Sequence, residues 1–552
     1  MSYIVLKFGG SSLADAERIK NVSSIVKSRN NKEKLIVIVS ALKGVTNDLF
    51  KLADQSAKEN QIITQIDLII LKHIKCIEEL SIDDRNYLLT VNKYFDQLKD
   101  DLSLINKKQK LSLKSLDKIY SYGELLSASI LVKYLSSIEI NCNMLDSRLV
   151  VKTNNNYGFA EVQFEKTYNN IEKYFNNVEN LQIVTGFIGS TENNETTTLG
   201  RNGSDYTASL FGAAIKAKQI EIWTDVNGVY SANPKIIKNA TVIPFLNYEE
   251  AMELAHAGAE ILFPPTIIPA LSRNIPIRVK NTFKPNETGT FISLDRKRNN
   301  NNVVGISSLS NISLVRLQGA GMVGMKGLIA RIFSVLAKKD INIILVAQSF
   351  SEHSICFAIN PESVDDALKI LKFEFNYEIE NQNIDKIEIE SNLSLIAVVG
   401  EGMRHTPGIS GRVFSALGKF NINVIAISQG SSERNISLII SDNDIGLAVK
   451  VLHMEFFEKN KNDFDIYLLG VGLIGSELLD MISKINPSSY KIKRIGSSNK
   501  MLISNNIDPL TAKNKLINNG VPFDFQEFIG FADNQDKKNK IFIDCTASKR
   551  IA

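Results

Sequence analysis

Tyr3-Ile4-Val5-Leu6-Lys7-Phe8-Gly9-Gly10-Ser11-Ser12 is the stretch on which the fold turns. An apolar run of strand-favouring residues stops at two glycines, and a helical pattern follows from Asp15. Leu35-Ile36-Val37-Ile38-Val39 is then a second apolar run, short enough for a strand buried on both faces. Residues 46 to 115 are amphipathic and mostly helical, and further strands are expected near 181 to 187 and 220 to 225. Strands alternating with helices predict an α/β domain over residues 1–292, a mostly parallel sheet between helices. The decisive stretch also carries chemistry. Lys7 ends the first strand, and Gly9, Gly10 and Ser11 follow, which sets an ammonium beside backbone N–H groups that only glycine lets approach phosphate oxygens. A tight turn with an incidental lysine would look the same.

Working outward, 552 residues correspond to about three to four domains. The 44% hydrophobic and 22% charged shares are those of a globular chain and exclude a disordered or fibrous one. No apolar run approaches the roughly 18 residues of a membrane span, and no leader precedes the first strand, so a cytoplasmic enzyme is expected. A net charge of +4 from 64 basic and 60 acidic residues gives no reason to expect a nucleic-acid partner. The cysteines Cys76, Cys142, Cys356 and Cys545 are far apart, and no histidine has a second ligand at metal-binding spacing, so no metal site is expected.

The charged, asparagine-rich stretch around Asp295 to Asn302 reads as a linker, assigned to residues 293–310. Beyond it lies an ungapped internal repeat with an offset of 81: Ser313 falls on Ser394, Gly321-Met322 on Gly402-Met403, Arg331 on Arg412, Phe333 on Phe414 and Gln348 on Gln429. Ser351-Glu352 falls on Ser432-Glu433. Two copies of one small α+β module are therefore expected at 311–382 and 383–460. The last segment, 464–552, opens with the strand Phe464 to Leu469, then Gly470-Val471-Gly472-Leu473-Ile474-Gly475 and a helix from near Ser476. Its further strands end at Ile495 and run over Ile541 to Asp544, the start of a Rossmann domain.

Two more loops complete the chemistry. Leu199-Gly200-Arg201-Asn202-Gly203-Ser204-Asp205 opens a helix with a cation, a hydroxyl and a carboxylate on flexible backbone, suited to an anionic acceptor meeting a phosphoryl donor. Trp223-Thr224-Asp225-Val226-Asn227-Gly228-Val229-Tyr230 follows a strand and could hold a base and ribose, although alone it is only a turn.

With these loops in order, residues 1–292 resemble the aspartate kinase branch of the amino-acid kinase family. The resemblance also rests on Ser40-Ala41-Leu42-Lys43-Gly44-Val45-Thr46-Asn47, Ser121-Tyr122-Gly123-Glu124, Ile277 to Thr282 and Gly289-Thr290. The paired modules resemble ACT regulatory domains, and residues 464 to 552 resemble the beginning of homoserine dehydrogenase, the order of the bifunctional fusion. The resemblance implies ATP with Mg²⁺, and L-aspartate as acceptor. Lys7 and Asp205 would be catalytic, and Ser40, Thr46, Glu124, Arg201 and Ser204 would bind aspartate. Lys7, Gly9, Gly10, Ser11, Thr224, Asp225, Tyr230 and Lys235 would bind ATP. The β-carboxylate, which in water titrates at about 3.9, is already anionic at neutral pH and requires no general base. Gln348 and Gln429 would bind an effector, threonine or lysine, and the modules would build a homodimer or homotetramer. Gly470, Gly472 and Gly475 would bind NADP vestigially. Family substrate-binding residues lie beyond Ala552, so dehydrogenase turnover is not expected of this chain unless a separate C-terminal half completes it.

The chain departs from the family at Asn227, Asn233 and Lys235, and it has Glu260 where relatives place a phosphate-side lysine. These departures leave two alternatives open: a kinase for another small carboxylate, and a non-catalytic amino-acid sensor.

Overall fold

The computed structural model describes residues 3–58, 63–258, 263–294, 302–348, 353–458, 464–484, 490–529 and 539–547. They fall into two compact units, one of residues up to 406 with 424–445, the other of 407–423 with residues from 446 onward.

The first unit is built on an eight-stranded sheet in the order Cys142–Leu145, Leu181–Thr185, Lys34–Val39, Tyr3–Phe8, Gln219–Thr224, Ile277–Asn281, Thr290–Ser293, Phe245–Asn247. Every neighbouring pair is parallel except Ile277–Asn281 with Thr290–Ser293, as the strand–helix alternation requires. Side chains on a strand alternate between faces. Ile4, Leu6 and Phe8 therefore pack with the helices Ala16–Asn30, Val45–Lys58, Arg85–Lys108 and Leu113–Ser137. Val5 faces the other way, into the cluster holding Phe175, Ala208, Phe211 and Ile267 from the helices Phe164–Phe175, Gly203–Ala214 and Pro264–Ser272. Both layers are fully buried around this strand, which is why its sequence is apolar without a break. Truncating Leu6 to alanine would cost about 2–5 kcal/mol. Lys7 is in phase with Val5, and this parity aims it at the face covered by Gly203–Ala214.

The glycine pair does not lead straight into the α-helix. Gly10–Leu13 is one 3-10 turn, closed by the Ser12 N–H donating to Gly9 O at 2.9 Å, and the helix starts at Ala16. Asp15 caps that helix by accepting from Arg18 N at 3.0 Å, as the sequence pattern anticipates.

The two repeated modules share one antiparallel sheet, in the order Ile343–Gln348, Ser354–Ile359, Gly305–Gln318, Lys386–Val399, Asn435–Ser441, Ala426–Ser428. The repeat holds in backbone detail: Asn311 and Asn392 are left-handed at φ 57° and 60°, and Gly327 and Gly408 at 80° and 88°. Arg331 pairs with Glu374 at 2.8 Å and lies 4.5 Å from the Phe375 ring centroid. Arg412 repeats this with Glu455 at 3.0 Å and Phe456 at 4.6 Å. The repeated arginines are thus structural braces, not ligand groups. The second module's strands belong to the first unit, while its helix Ile409–Gly418 belongs to the second.

The linker expected at 293–310 is shorter than that. Residues 305–310 begin the long strand, where Ile306 is buried opposite Val398. The asparagine-rich residues 295–301 lie outside the described residues, as do Ser351 and Glu352.

Within the second unit, Phe464–Leu469 pairs in parallel with Tyr490–Gly496 and Asn539–Asp544, as expected. An antiparallel edge of Lys500–Ile503 and Val521–Pro522 extends this sheet beyond the sequence expectation. The helix begins at Leu473, not near Ser476, because Gly472 takes the N-cap position. Gly470 turns the chain at φ +90°, and a Cβ on Gly475 would stand 1.8 Å from Gly470 O. Among the described residues no helix is long and apolar enough to cross a membrane.

Candidate active site

Five elements bring their polar residues to the carboxyl end of the parallel strands, where open α/β sheets bind ligands. Lys7 ends the central strand, Ser40 follows Lys34–Val39, and Thr46 opens the helix Val45–Lys58. Glu124 lies in Leu113–Ser137, and Ser204 and Asp205 in the first turn of Gly203–Ala214. That helix is entered through Asn202, left-handed at φ 55°. Gly186 admits it: a Cβ there would lie 2.6 Å from that of Ser204.

Together these residues line one cavity of about 430 Å³, with Lys7, Ser40, Thr46, Glu124, Arg201, Ser204 and Asp205 all on its wall. The Lys7 ammonium stands 2.5 Å from Asp205 Oδ1, both groups largely shielded from water. Glu124 is buried, and its Oε2 has no hydrogen-bond partner among the described residues. Burial pushes its carboxyl up to about 8, against the pull of the Ala41 N–H and the Lys7 charge. A buried carboxylate oxygen without a partner is costly, and a cationic ligand group would satisfy it. Sequence reasoning missed Tyr120, Gly158, Phe187 and Thr198 on the same wall. Phe187 carried one faint signal, the Gly186-Phe187 step, and it is left-handed at φ 68°, a costly conformation for a bulky residue.

The residues expected on the nucleotide side divide. The Gly9 N–H donates to Trp223 O at 3.3 Å, fixing the glycine loop to the neighbouring strand, and a Cβ on Gly10 would sit 3.0 Å from Ala41 O. Ser11 O accepts from Arg18 Nη1 at 2.7 Å. Thr224 Oγ1 donates to Asp225 Oδ1 at 3.2 Å, and Asn281 Nδ2, from the closing segment Ile277 to Thr282, donates to Asn227 Oδ1 at 2.7 Å. Tyr230 and Lys235 line a second cavity of about 150 Å³ with Val226, Val229 and Pro234. Asn233 Oδ1 accepts from Lys235 N at 2.9 Å, and Glu260 lies outside the described residues. Ile306, Ser307 and Ser308, from the strand Gly305–Gln318 that leads into the first module, form part of this second cavity's wall.

In the first module, Gln348 lines a cavity of about 440 Å³ with Met322, Met325, Leu328, Ile329 and Ile355, at the N-terminus of the helix Leu328–Ala337. Gln429 is exposed just beyond Ala426–Ser428.

Comparison with known proteins places the kinase part and the two repeated modules in known families. Residues 2–281 match the amino acid kinase family, and residues 315–375 and 396–456 each match the ACT domain. The chain is 33% identical over 562 residues to a bifunctional aspartokinase/homoserine dehydrogenase of Haemophilus influenzae, covering 99% of this chain and 69% of that one. It spans about two thirds of the length of such fused relatives. Among solved structures, E. coli aspartokinase III in complex with aspartate and ADP, in the R-state, superimposes with a TM-score of 0.72 at 29% identity, over 82% of this chain and 100% of that one. The same enzyme in complex with lysine and aspartate, in the T-state, gives 0.65 at 30% identity, over 82% and 99%. The match over half the chain, the near-complete alignment and the site geometry agree: this chain belongs to the amino acid kinase family, among the aspartokinases that carry paired ACT domains.

Proposed function

We propose that the chain transfers the γ-phosphoryl group of ATP to the β-carboxylate of L-aspartate, giving 4-phospho-L-aspartate and ADP, the first step toward threonine, lysine and methionine. The observation that carries this reading is the cavity that sets a buried Glu124, whose Oε2 has no partner among the described residues, beside the Arg201 side and the Lys7–Asp205 pair. An α-amino acid has both an ammonium for Glu124 and an α-carboxylate for the Arg201 guanidinium fork. Ser40, Thr46 and Ser204 complete the acceptor side.

A β-carboxylate oxygen forms the new bond to γ-phosphorus as the bond to the β,γ-bridging oxygen breaks, and ADP leaves with that electron pair. No proton moves, so the site needs positioning and charge more than a base. Asp205 holds Lys7 where the ammonium meets the charge developing on the transferred group. Gly9, Gly10 and Ser11 line the phosphate path, with Thr224, Asp225, Tyr230 and Lys235 on the nucleotide side. Mg²⁺ arriving on the nucleotide supplies further charge neutralisation, consistent with its sparing use of protein ligands.

Feedback by threonine through the ACT pair belongs to the same proposal. The described residues lining the Gln348 cavity have no charged side chain, which suits a neutral effector better than lysine. The strand Gly305–Gln318, which continues into the first module, contributes Ile306, Ser307 and Ser308 to the nucleotide-side cavity, and this shared element supports coupling of module to catalysis. Self-association of the ACT modules into a homodimer or homotetramer is the assembly proposed. For Gly470, Gly472 and Gly475 the proposal is NADP binding.

The test is ADP release with aspartate, glutamate and N-acetylglutamate as acceptors. Turnover with aspartate alone is expected. No turnover with any acceptor would favour an amino-acid sensor, and preference for another carboxylate would move the chain to a different kinase of this fold.

A further inference from the structure

Asp117 is buried completely in the first turns of Leu113–Ser137, and no cation pairs with it among the described residues. Among the described residues its carboxylate accepts from Gly158 and Thr198. Oδ1 receives the Gly158 N–H at 3.1 Å and the Thr198 hydroxyl at 2.7 Å, and Oδ2 receives the Gly158 N–H at 2.9 Å and the Thr198 N–H at 3.1 Å. Both partners line the acceptor cavity. Seven residues on, two helical turns along the same face, the same helix presents Glu124 to that cavity.

What Asp117 holds continues to Arg201. The loop carrying Gly158, itself at φ +87°, is tied to the strand Thr196–Thr198 by the Ala160 N–H donating to Thr198 O at 2.9 Å. The next ring in that loop, Phe159, lies so close to Gly200 that a Cβ on Gly200 would stand 2.0 Å from its Cδ2. Gly200, at φ +76°, is the residue before Arg201. Loop, strand and arginine therefore form one wall, tied to the helix by the buried Asp117 carboxylate and, at its outer end, by Lys114 pairing with Glu195. All the groups facing that carboxylate are donors, so asparagine would turn an NH₂ toward an N–H. Burial pushes the Asp117 carboxyl above its usual range, against the pull of the Gly158 and Thr198 donors.

We infer that Asp117 is a positioning residue for the acceptor: it fixes the height of the Arg201 fork relative to Glu124, and so sets the length of the amino diacid the site accepts. The inference rests on the proposed aspartate kinase reading and names a determinant within that site.

Steady-state kinetics of the full chain carrying Asp117→Asn test it, with both substrates varied. The KM for aspartate is expected to rise by about tenfold or more, as loss of hydrogen bonds to a charged group implies. The kcat and the KM for ATP should stay within about twofold, and the preference for aspartate over glutamate should shrink. Thr198→Val, which removes one donor, should give a smaller split of the same kind and serves where Asp117→Asn does not fold. Hydrogen exchange should quicken in peptides spanning 157–160 and 197–202 in either variant. An unchanged KM for aspartate in the folded variants would overturn the inference, as would a fall in kcat with both KM values moving together. A wild-type chain that turns over another carboxylate but not aspartate would refute the aspartate reading, and the KM for that acceptor would still decide the role of Asp117.

Discussion

Neutralising Glu124 perturbs one ligand contact without moving the phosphoryl machinery, and the structure supplies the magnitude. With its carboxyl pushed up to about 8 by burial, the free protein holds Glu124 largely protonated at neutral pH. Only the ionised form pairs with a substrate ammonium. At pH 7 that form is about one tenth of the population and at pH 6 about one hundredth, and apparent affinity falls by the same fraction. The KM for aspartate is therefore expected to drop about tenfold per unit from pH 6 to near 7.5 and to level above 8. The sign follows from linkage: binding expels a proton, so affinity rises with pH until the free group is already ionised. About 0.9 proton should leave per aspartate bound at pH 7, and almost none at pH 9. Calorimetry in buffers of different ionisation enthalpy counts these protons, and initial rates from pH 6 to 9 give the KM profile. Glu124→Gln should bind aspartate more weakly, with no proton release and a flat profile. A wild-type KM that stays level between pH 6 and 8 would refute the reasoning, because the carboxylate would then be ionised before substrate arrives.

Other perturbations separate the remaining roles. Lys7→Ala should lower kcat by about 10²- to 10³-fold with the fold intact by circular dichroism, because its ammonium is needed most as charge develops in transfer. Gln348→Ala should weaken threonine inhibition about tenfold in a rate titration, leaving both substrate KM values alone. Glu221→Ala should destabilise the first unit by about 3 kcal/mol in a urea melt. There the buried carboxylate accepts from Trp223 Nε1 at 3.0 Å and Gln219 Nε2 at 2.8 Å and pairs with Arg29. Trp223 is the sole tryptophan and is buried, so its fluorescence reports the transition directly.

The repeat shows how far spacing alone can reach. An ungapped offset of 81 in the sequence reappears as left-handed Asn311 and Asn392 and as the braces of Arg331 and Arg412. A strand–turn–helix unit depends on a few neighbouring residues, so two copies of the pattern produce two copies of the geometry. The linker ends earlier than its composition suggests, because Ser307 and Ser308 look like loop residues. They are strand because Lys386–Val399 pairs with them, and that partner is almost 90 residues away. The helix expected near Ser476 starts earlier for a different reason. Apolar Leu473 and Ile474 resemble the preceding strand, whereas Gly472 caps the helix before them.

The sequence by itself determined the alternation of strand and helix, the duplicated module and the three glycine-bearing loops, since periodicity and backbone freedom are local properties. Tertiary structure decided how the expected site residues meet, and it added Tyr120, Gly158, Phe187 and Thr198 to the acceptor cavity. Lys7 and Asp205 are almost 200 positions apart in the chain yet within 2.5 Å in space. Asp117, ordinary in its helix, reaches Gly158 across 41 positions and Thr198 across 81. Those contacts depend on how the sheet orders its strands and which face each helix covers, and strand order is fixed by burying both faces at once, which no short window of sequence contains.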